Sequence, residues 1–437
     1  MGDARAASTL LEHVRVFDGV ADVLSDPRHV LVRDGLIASI SPEPPEPAAL
    51  GGDCVRIDAA GHTLLPGLID AHWHAAFASL TFSALQFADA GFIAIAAAHA
   101  ARETLLRGFT TVRDAGGPTF GLKLAIDQGL TPGPRIYPSG AFISQTAGHG
   151  DFRTPNEVPR GLCGHLSHAE IVGASAIADG VDEVLRAARE QLLRGASQLK
   201  MMAGGGAAST HDPIDVTQYT EAELRAGVEA AENWGTYVMV HGYTSRAVQQ
   251  ALRAGVRCIE HGHLIDEETV AMIAEKNAWW SLQPFLDDED AIPLESEAGR
   301  AKQMRVIAGT DTAYALARRH GVNLAWGTDT LFDAKLASRQ GAQLAKMRRW
   351  FSPAEVLRMA TSTNARLLTL SGERNPYPGV LGQVKEGAIA DLLLVAGDPL
   401  TDLDLLARPD TALALIMKDG VVYKNTLTAR AASAASG

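Results

Sequence analysis

Cysteine is scarce, with three residues (Cys54, Cys163 and Cys258) in a chain of 437. So few, so widely spaced, build neither a disulfide framework nor a cysteine-type zinc site, and buried thiols are expected. Basic charge is also short: 39 Lys and Arg stand against 51 Asp and Glu, a formal net charge of -12. That deficit argues against nucleic acid or an anionic membrane surface as partner. No apolar run reaches the roughly 18 residues that a membrane-crossing helix needs. Residues 1–11 lack the charged-then-apolar order of a secretory leader. The expectation is therefore a cytoplasmic chain, or an exported one if a leader precedes it. Residues 431–437, small and polar, are expected to fray. What remains, 46% hydrophobic and 21% charged, is ordinary for a soluble globular chain.

Three textures follow one another. Residues 1–62 are short β-like pieces, at 10–17, 29–40 and 55–57, broken by turn formers such as Asp34-Gly35 and Gly51-Gly52-Asp53. From 63 to about 370, short apolar strands alternate with amphipathic helical patterns at 181–194, 221–234, 245–253 and 266–276. From Leu381 the β texture returns, with Asp419-Gly420 placed to turn a hairpin. Eight strands are predicted in the middle zone: 64–74, 109–114, 134–144, 198–203, 236–241, 257–263, 279–283 and 322–329. Strand–helix alternation implies parallel pairing, and eight units imply a closed (β/α)₈ TIM barrel. The expected organisation is α/β: a barrel over 63–370, beside a small β-sandwich domain assembled from 1–62 and 371–430.

In such a barrel, chemistry gathers where strands end. His72 and His74 close the first predicted strand. Alternation sends both imidazoles to one face and Trp73 to the other, where it should pack against the helix layer. Two neutral nitrogens at a strand end can hold a divalent metal such as zinc. Lys200 lies in an apolar strand just before Gly204-Gly205-Gly206. His241 ends the next strand, His261 and His263 the one after, and Gly327-Thr328-Asp329 the last. Each alone has a plainer reading: a satisfied core histidine, a helix-capping aspartate, a flexible glycine turn. A buried unpaired ammonium at Lys200 is harder to dismiss. Five strand ends converging on one rim favour a single assembled site.

These residues, with Pro66-Gly67-Leu68-Ile69-Asp70-Ala71-His72-Trp73-His74, residues 361–368 and residues 382–392, resemble the amidohydrolase superfamily over nearly the whole chain. The resemblance implies two divalent metal ions, zinc among the candidates with cobalt, manganese and iron. It also implies that Lys200 is carbamylated by carbon dioxide and bridges them. His72, His74, Lys200 and Asp329 would then hold one ion, and Lys200, His241 and His261 the other. Asp329 would shuttle the proton from attacking water to leaving amine.

Gly148-His149-Gly150-Asp151 resembles a segment of metal-dependent prolidase-like carboxypeptidases and of ochratoxin-hydrolysing amidohydrolases, where the histidine stabilises the oxyanion. His149 takes that role by resemblance, although a solvated loop histidine is the alternative. Tyr243 would grip the substrate's carboxylate. Arg246 is a second candidate whose plainer reading is an exposed helix position, and His263 either lines the pocket or supports a ligand. The expected activity is cleavage of the amide to a C-terminal L-amino acid, in dipeptides or N-acyl amino acids such as ochratoxin A. A cyclic-amide hydrolase similar to imidazolonepropionase or hydantoinase, and a non-catalytic assembly subunit, remain as alternatives. By resemblance the chain forms a homo-oligomer, an octamer.

Overall fold

A computed structural model describes residues 8–50, 53–209, 211–294, 296–427 and 429–431. The Gly51-Gly52 pair of the expected turn and residues 432–437 of the tail lie outside these. The early strands are β1 (Ser8–Val16), β2 (Arg28–Arg33), β3 (Leu36–Ser41), β4 (Cys54–Asp58) and β5 (His62–Pro66). Asp34 and Gly35 both take positive φ, 52° and 79°, the pairing that a two-residue hairpin turn requires. Asp419 and Gly420 repeat this near the other end, with φ 54° and 72°.

The parallel strands are β6 (Leu68–Trp73), β7 (Phe109–Asp114), β8 (Arg135–Tyr137), β9 (Phe142–Ser144), β10 (Ser175–Ile177) and β11 (Leu199–Met202). They continue with β12 (Val238–Thr244), β13 (Cys258–Leu264), β14 (Trp279–Leu282) and β15 (Asn323–Trp326). The last strands are β16 (Leu392–Ala396), β17 (Leu413–Lys418), β18 (Val421–Asn425) and β19 (Ala429–Ala431). Both chain ends meet in a nine-stranded sheet ordered β18-β17-β16-β5-β1-β2-β3, with β4 on β1 and β19 on β4. The middle forms a three-stranded sheet, β6-β7-β8, and a seven-stranded one, β10-β9-β11-β12-β13-β14-β15, both parallel. The fold is thus mixed α/β with parallel sheets.

Helices return the chain between strands and bury one face each. Val181–Leu193 starts with Asp182 and Glu183 in its first turn, where acidic groups suit the helix dipole, and buries Val184, Ala188 and Leu192. Glu221–Asn233 begins with a capping box between Thr220 and Glu223. Trp73 is buried and clusters with Ile93 and Ala97 of the helix Ala90–Leu106, the Arg107 guanidinium 6.0 Å from its ring centroid. No helix among the described residues is long and apolar enough to cross a membrane. Cys54 and Cys258 are buried and free.

The predicted strands require three corrections. The single strand expected over 64–74 divides at Gly67. Its first half pairs with β1 and β16, its second with β7. Gly67 gives its N–H to Asp391 O at 2.8 Å, and a Cβ there would lie 2.1 Å from Thr110 Oγ1. The strand expected over 134–144 also divides, at Pro138-Ser139-Gly140, into β8 and β9 of different sheets. Finally, β10 went unforeseen, because three residues carry too little periodicity to register.

Candidate active site

The C-terminal ends of these parallel strands deliver their polar residues to one cleft of about 750 Å³. His72, His74, His149, Lys200, His241, Tyr243, His261 and Asp329 all line it. The rings form a chain: His74 to His72 (5.4 Å between centroids), His72 to His261 (5.0 Å), His261 to His241 (4.6 Å) and His241 to His149 (4.2 Å). Asp329 Oδ1 lies 3.1 Å from Nε2 of both His72 and His74, and Oδ2 3.9 Å from His261 Nδ1. Donor atoms of His72, His261 and Asp329 fall within 4.8 Å of one another, close enough to share a metal ion.

Backbone geometry sets these positions. Asp329 adopts φ 54°, a left-handed conformation that aspartate tolerates, and its N–H donates to His72 O at 2.8 Å. Gly327 lets β15 approach β6, since a Cβ there would lie 2.4 Å from His72 N. Gly206 does the same for His149, whose ring would meet a Cβ at 1.8 Å.

Each imidazole is oriented from behind. His72 Nδ1 lies 2.6 Å from Glu260 Oε2, His74 Nδ1 3.1 Å from Gly116 O, and His261 Nδ1 2.7 Å from Gln283 Oε1. His241 uses Nε2 instead, 3.1 Å from Gly205 O. Occupying one ring nitrogen leaves the other for the cleft, the usual means of fixing a ligand's tautomer. Burial, then the charges of neighbouring histidines, push His241 well below the ordinary imidazole range. Burial outweighs Asp329 to do the same at His261. Both shifts favour the neutral form that metal ligation requires. Burial alone would raise the Asp329 carboxyl, yet His72 and His261 hold it well below the carboxylate range.

Lys200 is 2% exposed, and among the described residues its ammonium nitrogen has no hydrogen-bond or ion-pair partner. Burial lowers its pKa, favouring the neutral amine. His149, in the loop after β9, places Nδ1 2.9 Å from Ser209 Oγ and 3.3 Å from buried Asp212. Lys302 Nζ ties down the loop after β11, which carries both partners, by donating to the carbonyls of Ser209 and Asp212, each at 2.8 Å.

Two candidates lie elsewhere. Arg246, on the helix Ser245–Arg253, is exposed and does not line the cleft. Helical phase explains this: the buried positions of that helix are Ala247, Val248, Ala251 and Leu252. His263 is buried and also absent from the lining. It packs on Phe285 and Tyr243, 5.0 and 6.1 Å between centroids, with Nε2 2.9 Å from Gln283 O. Burial pushes its pKa down to about 4.

Comparison with known proteins agrees with this geometry. The amidohydrolase family pattern matches residues 63–424. This chain belongs to the amidohydrolase family. Ochratoxinase of Aspergillus niger is 32% identical over 375 residues, covering 83% of this chain and 75% of that protein. A crystal structure of a prolidase complexed with N-methylphosphonate-L-proline superposes with a TM-score of 0.85 at 33% identity, over 96% of this chain and all of the other. A Xaa-Pro dipeptidase with methionine bound in its active site gives 0.82 at 26% identity, again over 96% and 100%. The amidohydrolase is thus a hydrolase acting on amide bonds.

Sequence reasoning passed over the support behind the histidines. Arg113 and Glu260 form a fully buried ion pair at 2.6 Å. Arg113 also donates to Ala71 O (2.5 Å) and Tyr237 Oη (3.1 Å), and Cys258 Sγ to Glu260 Oε1 (3.0 Å). Burial would raise Glu260, but Arg113 and His72 hold it ionised, well below its usual value. A carboxylate two positions after Cys258, directly before His261 on the same strand, was the available signal. Glu260→Gln leaves Arg113 buried against a neutral amide. Stability in urea is expected to fall by about 3–5 kcal/mol, and metal affinity by about 10–100-fold. A midpoint and a metal titration at wild-type levels would refute this.

Proposed function

We propose that this amidohydrolase cleaves the amide between an acyl group and a C-terminal L-amino acid, in dipeptides or N-acyl amino acids, with ochratoxin A the first compound to try. One observation carries the reading: the Tyr243 ring, which lines the cleft, lies 5.1 Å between centroids from both His241 and His261, and its hydroxyl has no protein hydrogen-bond partner among the described residues. Burial, then the charges of Asp329 and Asp212, keep that phenol well above its ordinary pKa. It therefore remains a donor, suited to a substrate carboxylate. The relatives named ochratoxinase, prolidase and dipeptidase are consistent with this.

The two parallel sheets are read as one closed (β/α)₈ barrel. Support comes from Asp329 N–H on His72 O, and from Asn364 Nδ2, 2.8 Å from both Ile69 O and Trp326 O. The discontinuous sandwich of 1–62 and 371–430 completes the proposed organisation.

The donor set suits a pair of divalent ions, zinc foremost. His72, His74 and Asp329 would hold one, His241 and His261 the other, and Lys200 both. A neutral Lys200 amine can add to carbon dioxide, losing a proton to give a carbamate with two oxygens. Once bound, the ions polarise the amide carbonyl and acidify water. Asp329 accepts the proton of the attacking water and returns it to the departing amine nitrogen, without which that nitrogen would leave as an anion. His149, whose Nδ1 faces Asp212, donates Nε2–H to the carbonyl oxygen as negative charge develops there. Tyr243 anchors the carboxylate so that the amide meets these groups.

Assay of N-acyl-L-amino acids with the metal-loaded enzyme tests this reading. Tyr243→Phe is expected to raise KM about 10-fold or more, the worth of a hydrogen bond to a charged group, with little change in kcat. Turnover confined to cyclic amides, or an unchanged KM, would contradict it.

A further inference from the structure

Four phenylalanines make one wall of the cleft. From His74 outward, Phe142 lies 5.5 Å away between centroids, then Phe152 at 6.0 Å from Phe142, Phe82 at 5.8 Å from Phe152, and Phe332 at 5.3 Å from Phe82. All four line the cleft, yet Phe82 keeps 42% of its surface exposed. An open aromatic surface inside a cavity is unfavourable unless something apolar covers it. Phe332 adds a second cost: its φ is 62°, a conformation that a bulky residue rarely adopts. Its N–H donates to Phe77 O at 2.9 Å, and its ring leans on Phe77 at 6.0 Å, which pins it there. Strain of this kind persists where function needs the side chain so placed.

Charge on this wall is already spent. Arg153 is held by Asp151 through two hydrogen bonds of 2.7 and 2.6 Å, and Asp333 caps the helix Ala334–Ser338. Among the described residues, this wall therefore offers a substrate carboxylate no unpaired cation. The opposite wall differs: Tyr243 clusters with Ile214, Val306 and Phe285, on the side of His261.

We propose that the Phe82–Phe142–Phe152–Phe332 wall is the acyl subsite and selects a planar aromatic acyl group, while Phe285 and Val306, which also line the cleft, face the side chain of the leaving amino acid. This assignment rests on the reading of Tyr243 as the carboxylate anchor. The scissile carbonyl then lies between the walls, beside Asp329 and His149.

The test compares N-acetyl-L-phenylalanine with N-(2-naphthoyl)-L-phenylalanine on the metal-loaded enzyme, in wild type, Phe82→Ala, Phe82→Leu and Phe285→Ala. Wild type is expected to prefer the naphthoyl substrate by at least about tenfold in kcat/KM. Phe82→Ala should cut that preference severalfold, and Phe82→Leu, similarly apolar but without a ring, should cut it nearly as far. Phe285→Ala should instead alter the preference between L-phenylalanine and L-alanine as leaving groups. Equal rates for the two acyl groups, or a Phe82 effect on the leaving amino acid alone, would overturn the assignment. Absence of turnover for either compound, with metal bound, would instead sink the proposed activity itself.

Discussion

Asp329→Asn is expected to lower kcat by about 10⁴-fold, the upper end of what a positioned proton carrier contributes. The substitution keeps size and hydrogen-bonding reach, so the left-handed turn and the N–H bond to His72 O should survive. What disappears is the oxygen able to take a proton from water and return it to nitrogen. Because the leaving amine depends on that return, KM should change far less than kcat. Circular dichroism and the unfolding midpoint should remain near wild type, while single-turnover kinetics show the chemical step itself to be lost. Near-normal kcat in a folded Asp329→Asn protein would mean that another group carries the proton.

Lys200→Ala is expected to remove activity and most bound metal together. Lys200 stands on β11, and β12 beside it carries His241. In the proposed site it is the one side chain shared by both ions. Losing it takes two oxygen ligands at once, leaving three and two protein ligands where four and three stood. Metal measured by mass spectrometry after dialysis should fall from about two ions per chain to below one, against background binding by exposed groups. The fold should hold, since an amine without a protein partner contributes no bond. Full metal content in Lys200→Ala would exclude a bridging role.

Legibility in the sequence followed physical range. Alternation through β6 and the residue after it was enough to put His72 and His74 on one side and Trp73 in the helix layer, because two-residue periodicity is local. Helices such as Ser245–Arg253 matched their predicted span for the same reason, their apolar spacing and caps lying within a few turns. The hairpins at Asp34-Gly35 and Asp419-Gly420 announce themselves through residues that accept positive φ.

Long-range pairing left fewer marks. Nothing between Leu64 and His74 indicates that the first half belongs with β16, over three hundred residues away in sequence, apart from the Pro66-Gly67 break. Glu260 could be seen as a carboxylate directly before His261, but its partner Arg113 lies on a different strand, β7, and pairing across a fold has no local period. Arg246 failed for a simpler reason: adjacency to Tyr243 in sequence does not carry a side chain around a helix. The phenylalanine wall draws on four separate segments, and Phe332 owes its position to a backbone conformation that its residue type disfavours.

In the proposed site Lys200, as a carbamate, would join two cations between the His72–His74–Asp329 and His241–His261 groups. Crystals grown with zinc and bicarbonate, measured with anomalous scattering at the zinc edge, address it directly. Two peaks are expected, with continuous density running from Lys200 Nζ to both. An unmodified lysine with one peak, or none, would contradict the account.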